Sequence, residues 1–141
     1  MIVLDTNVLS EALRPLPDNS VLDWLTEQPR ASLFITTVTR GEILDGIRLL
    51  SDGKRRRALW DAAINIFSDD FAGQVLNFDN DAADMYAEIA ASRRIGGKPI
   101  SQFDAMIAAM ARSRSATSNP RASRSVSMSQ VSVISWTVAP K

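Results

Sequence analysis

Three short apolar runs, each stopped by polar residues and separated by stretches with helical spacing, constrain this chain more than any other feature. Ile2-Val3-Leu4 stops at Asp5, Leu33-Phe34-Ile35 stops at threonines, and Val75-Leu76-Asn77-Phe78 stops at Asp79. Runs of this kind suit strands buried on both faces, as in the middle of a parallel sheet. Between the first two runs, Val8-Leu9 with Ala12-Leu13 marks a short helix stopped by Pro15 and Pro17. Val21, Leu22 and Leu25 mark a second over 18–27, closed by Pro29. Ile43, Leu44, Ile47 and Leu50 then share one helical face. After the break at Asp52-Gly53, Leu59, Trp60, Ala63, Ile66 and Phe67 share another. Ala82, Met85, Tyr86, Ile89 and Ala90 predict a further amphipathic helix, and 101–112 a nearly all-apolar one beyond the loop Gly96-Gly97-Lys98-Pro99. This alternation predicts an α/β fold with a central parallel sheet. Polar groups at the carboxyl ends of such strands gather in one crevice.

The chemistry is bounded by what is missing. The 141 residues, a length suited to one domain, contain no cysteine and no histidine. Disulfides, thiolate metal sites, Ser-His-Asp triads and most zinc sites are thereby excluded. Hydrolysis would have to rest on carboxylates, hydroxyls, lysines, arginines and a metal that prefers oxygen. The net charge of zero is a sum of opposite regions. All 16 acids lie within residues 1–104, and residues 105–141 carry bases alone. No apolar stretch approaches the roughly 18 residues of a membrane span. No basic segment leads an apolar one at the start, so the cytoplasm is the expected compartment and no membrane partner is expected.

Three acids occupy similar places: Asp5 after the first run, Glu42 three residues after Thr39, and Asp104 three residues after Ser101. Each has an ordinary structural explanation. Asp5 suits a helix N-cap, Thr39-x-x-Glu42 a capping box, and Ser101-x-x-Asp104 an Asp variant of one. Taken together, carboxylates converging on the rim of a parallel sheet would repel one another unless a cation neutralised them. A hard divalent ion does this, and it also polarises phosphoryl oxygen and acidifies water without His or Cys.

The segment Ile2-Val3-Leu4-Asp5-Thr6-Asn7-Val8-Leu9-Ser10-Glu11, followed by Arg14-Pro15-x-Pro17, resembles the start of VapC-type PIN domains, in particular the FitB-like subgroup. Thr36-Thr37-Val38-Thr39-x-x-Glu42-x-x-x-Gly46 resembles that family's second acidic motif, and Asp104-Ala105-Met106-Ile107-Ala108-Ala109 its third. The three motifs are in register, and the resemblance runs from residue 1 to about 116. It implies a three-layer α/β/α fold and a Mg²⁺- or Mn²⁺-dependent endoribonuclease that hydrolyses RNA phosphodiesters with metal-activated water. It also implies the toxin of a toxin–antitoxin pair, homodimeric and inhibited by a VapB- or FitA-like antitoxin, with promoter DNA reached only through that antitoxin. Carried over by position, Asp5, Glu42 and Asp104 are the metal-holding and catalytic acids, and Thr6 or Asn7 supports them.

The resemblance breaks near the end. Members of the family carry a Thr-Arg-Asp or Thr-Arg-Asn motif on a later strand. Here the stretch reads Ala116-Thr117-Ser118-Asn119-Pro120-Arg121-Ala122, and no acid follows Asp104. Asn119 is the nearest stand-in, and Pro120 argues against an interior strand. Residues 113–135 hold 9 serines against 7 in the preceding 112, so 117–141 form an atypical tail of a single PIN domain spanning 1–141. Only Val131 to Trp136 reads as a final strand, and disturbance of the C-terminal strands is expected. The abruptness of the change predicts a shifted reading frame near residue 117. Translation of the coding DNA in the other two frames should restore a Thr-Arg-Asp/Asn motif; its absence from both excludes the shift.

Two other readings follow from the same residues. A PIN domain lacking the fourth group would be a catalytically impaired module that still binds antitoxin or RNA. An aspartyl-nucleophile phosphatase wants a second Asp two residues after the first, where Asn7 stands, and no phosphate-binding glycine loop with a following lysine is present. Lys54-Arg55-Arg56-Arg57, and separately Arg93, Arg94 and Lys98, are basic groups that suit either a solvated face or RNA phosphate.

Overall fold

The computed structural model describes residues 1–118 and 132–134. Its architecture follows from the two-residue side-chain period of the strands. In β1 (Ile2–Leu4), Ile2 and Leu4 join one apolar cluster and Val3 joins another. In β2 (Leu33–Thr36), Leu33 and Ile35 go to the first cluster and Phe34 to the second. Helices α1 (Thr6–Ala12), α2 (Asn19–Glu27), α3 (Thr37–Arg48) and α4 (Lys54–Asn65) cover the first face with Leu9, Val21, Ile43 and Ala63. Helices α5 (Asn80–Ile95) and α6 (Gln102–Ser118) cover the second with Ala82, Ile107 and Met110. The result is the expected α/β/α sandwich. With β3 (Val75–Leu76) and β4 (Ser132–Ile134), the sheet has the order β3-β2-β1-β4 and every pair is parallel. Among the described residues no helix is long and apolar enough to cross a membrane.

Two boundaries differ from the sequence reading, each for a local reason. The third strand stops at Leu76 rather than Phe78, because its partner β2 ends at Thr36, opposite Leu76. Phe78 instead packs against the second cluster, and Asp79 caps α5 by accepting from the Ala82 N–H at 3.0 Å. The last helix runs on from 112 to 118. Its serines are tolerated because Ser113 and Ser115 donate to the Met110 and Ala111 carbonyls within the same helix. The expected final strand appears as β4, in register with β1 from Ile2↔Ser132 to Leu4↔Ile134. Asn119 and Pro120 lie outside the described residues.

Glu11 is the acid whose place was not foreseen. It is 4% exposed, and its Oε1 accepts from the Asp18 N–H at 3.0 Å, joining the end of α1 to the start of α2 across the prolines. Its Oε2 lies 3.0 Å from Arg14 Nη1 but makes no well-angled hydrogen bond. Loss of a buried acceptor costs about 1–3 kcal/mol. Glu11→Ala is therefore expected to lower unfolding free energy by about that amount in urea titration, and Glu11→Gln by less, because the amide oxygen still accepts from Asp18.

Candidate active site

The carboxyl ends of β1 and β2 lie side by side, since the two strands are parallel neighbours. Asp5 leaves β1 in an extended conformation and caps α1, its Oδ1 accepting from the Val8 N–H at 3.1 Å. The residue is 7% exposed. No further hydrogen bond to its side chain is made among the described residues. The capping explanation for Asp5 is thus correct, and it uses only one of the two carboxylate oxygens.

Glu42 is not where a capping box would put it. Because β2 continues to Thr36, the cap of α3 falls there, and Thr36 Oγ1 accepts from the Thr39 N–H at 3.0 Å. Both threonines are fully buried, with their hydroxyls 2.9 Å apart. Thr39 is therefore inside the first turn, and Glu42 sits in the second. Its carboxylate points across to α1, where Oε2 accepts a hydrogen bond from the Thr6 hydroxyl. Thr6 and Glu42 are brought together; exposed Asn7 makes no comparable contact among the described residues.

Asp104 is exposed in the first turn of α6. Ser101 caps that turn, its Oγ accepting from the Asp104 N–H at 3.1 Å and donating to Asp104 Oδ2 at 2.6 Å. This resembles the expected reciprocal box, except that the carboxylate returns to the serine hydroxyl rather than to its backbone N–H. Since α6 follows α5 and not a strand, the argument from strand ends does not carry Asp104 to the rim. The link between α6 and the rim lies further along, where the Thr37 hydroxyl meets Met110 Sδ at 3.8 Å. Among the described residues no three acids converge as a ready metal-holding group.

The basic runs behave differently from one another. Arg56 folds back to Asp52 at 2.8 Å, and Arg57 lies 3.8 Å from the same carboxylate, so part of Lys54–Arg57 closes the turn between α3 and α4. Trp60, expected on an apolar face, is half-buried with the Arg48 guanidinium 4.3 Å above its ring. Beside Glu42, a groove between α1, α3 and α4 is lined by Leu13, Ile47, Leu50 and Leu59, with Arg14 and Arg55 at its edge.

Residues 2–124 match the PIN domain family. Toxin FitB of Neisseria gonorrhoeae is 38% identical over 117 residues, covering 83% of this chain and 84% of that protein. The VapC ribonuclease Y4jK of Sinorhizobium fredii is 39% identical over 111 residues, 79% of each. Among solved structures, FitAcB from Neisseria gonorrhoeae superposes with a TM-score of 0.76 at 37% identity, over 82% of this chain and 83% of that one.

Proposed function

The chain belongs to the PIN domain family, and on that premise we propose that it is a divalent-metal-dependent endoribonuclease, the toxin of a toxin–antitoxin pair. The observation that supports this most is the Thr6–Glu42 hydrogen bond next to Asp5. It ties Glu42 to the residue that follows Asp5 at the end of the central strand, in a chain related to Toxin FitB and a VapC ribonuclease.

The donor set suits Mg²⁺ or Mn²⁺. It offers oxygen alone, and Mg²⁺ often takes only one or two protein carboxylates, with waters and substrate phosphate completing the shell. Asp5, Glu42 and Asp104 would hold the ion. Each is aimed by a single neighbour, namely the Val8 N–H, the Thr6 hydroxyl and the Ser101 hydroxyl, and each keeps its second oxygen. When bound, such an ion polarises a phosphoryl oxygen and lowers the pKa of water for attack. The protein's own share is orientation: a carboxylate locked in one rotamer does not have to be ordered when substrate arrives. Asp104 enters on the family motif alone.

One domain spanning 1–141, acting in the cytoplasm as a homodimer, fits this reading. The groove beside Glu42 suits an antitoxin segment that lays apolar side chains on Leu13, Ile47 and Leu50 and extends an arginine to the carboxylate. Promoter DNA would be reached only through that antitoxin. A second reading, an impaired domain that binds antitoxin or RNA without cutting, is favoured by the absence of any acid after Asp104. The two are separated by incubating the purified chain with a mixed RNA pool in Mn²⁺ or Mg²⁺, with EDTA as control. Cleavage abolished by EDTA is expected. A folded chain that leaves the RNA intact in both ions supports the impaired module.

A further inference from the structure

The end of the α5–α6 hairpin is an exposed feature that the acidic centre leaves unexplained. From Ala91 to Asp104 every residue except Ile100 is exposed. That stretch includes Phe103 at 51% and Ile95 at 88%. Its charges are Arg93, Arg94, Lys98 and Asp104. Asp104 is already held by Ser101, whereas the three cations make no ion pair among the described residues. Several cations elsewhere are partnered, among them Arg30 with Asp70, Arg56 with Asp52 and Arg112 with Glu88.

The turn that presents these cations is a fixed one. Gly97 adopts φ +68°, a conformation that favours glycine, and closes α5 with two reversed hydrogen bonds. Its own N–H reaches the Arg94 carbonyl at 3.1 Å, and the Lys98 N–H reaches the Arg93 carbonyl at 3.0 Å. Lys98 is thereby folded back over the last turn that carries both arginines. Phe103 lies five positions after it, at most about 18 Å of extended chain, so ring and cations address one short stretch of any ligand. Phe103 in turn precedes Asp104 directly.

We propose that this hairpin end docks single-stranded RNA, with Phe103 stacking on an unpaired base next to the scissile phosphate and Arg93, Arg94 and Lys98 holding the flanking phosphates. The proposal rests on the ribonuclease reading above and deepens it by naming where the strand lies. An exposed aromatic ring on the same hairpin end as unpaired cations is what single-strand binding uses. A protein interface would instead have a core depleted of charge.

The test is single-turnover cleavage of a short single-stranded RNA by the full chain in Mn²⁺, with protein concentration varied to separate half-saturation from maximal rate. Phe103→Ala is expected to raise the half-saturating concentration about tenfold, near the lower end of what base stacking contributes, at unchanged maximal rate. Phe103→Trp should restore it. Replacing Arg93, Arg94 and Lys98 by alanine together should flatten the salt dependence of binding by about 2 logarithmic units per unit, given roughly 0.7 per single-strand phosphate contact. If the wild type cleaves and Phe103→Ala saturates like it, the proposal is wrong and the ribonuclease reading stands. If Phe103→Ala leaves saturation unchanged but alters the sedimentation coefficient, the surface is a protein interface and the proposal is also wrong. If the wild type cleaves no RNA, both fall.

Discussion

Asp5→Asn should abolish RNA cleavage, by at least about 100-fold or ~2.7 kcal/mol of transition-state stabilisation, while leaving the melting temperature close to that of the wild type. The two halves of this expectation come from the two oxygens of one side chain. Oδ1 caps α1 through the Val8 N–H, and asparagine caps a helix about as well as aspartate does. What asparagine removes is the negative charge that a divalent ion would require. Asp5→Ala removes both, so it should be equally inactive and about 1 kcal/mol less stable. The pair of substitutions thus separates fold from chemistry at a residue that serves both. An Asp5→Asn protein that retained activity would leave Asp5 with a capping role alone. Activity and melting curves measured on the same preparations decide the matter.

Thr36→Val should be among the most destabilising single changes that preserve volume, at about 2–4 kcal/mol. Thr36 is fully buried, and its hydroxyl serves both the Thr39 N–H and the Thr39 hydroxyl. Valine fills the same space, so no cavity term contributes. The whole effect comes from a lost cap and from polar groups left without a partner where water cannot reach. For a chain of this size the expected fall in Tm is roughly 6–15 °C. Thr36→Ser keeps the hydroxyl and should stay within about 1 kcal/mol of the wild type. Chemical denaturation of the three proteins reads this directly. A valine variant as stable as the wild type would mean that Thr36 does not carry the cap. Because this cap sets where α3 begins, and hence where Glu42 faces, activity should decline along with stability.

The strands and the acids at their ends were legible because both signals are local. A buried strand needs a short apolar run, and Ile2-Val3-Leu4 before Asp5 offers one with no competing period. Assignment of the two sheet faces also follows from alternation within β1 and β2. What could not be read depends on partners distant in sequence. The Thr39-x-x-Glu42 spacing matches a capping box as well as the true Thr36-x-x-Thr39 cap matches a simple one. Only the length of β2 decides between them. The Thr6–Glu42 contact spans 36 residues and leaves no periodic trace. Glu11 left one signal, an acid two positions after Val8-Leu9 on a short apolar helix, but its partner lies across the turn that holds Pro15 and Pro17. The position of α6 after another helix, rather than after a strand, is a matter of topology that helical spacing does not encode.

The most direct test of the account is the binding of Mn²⁺ to the intact chain, followed by the loss of the free-ion paramagnetic resonance signal during titration. The wild type is expected to take up Mn²⁺ at a site that Mg²⁺ competes for and that Asp5→Asn and Glu42→Gln each weaken strongly. Equal uptake by all three proteins, or none by the wild type, would contradict the assignment of these acids as the metal centre.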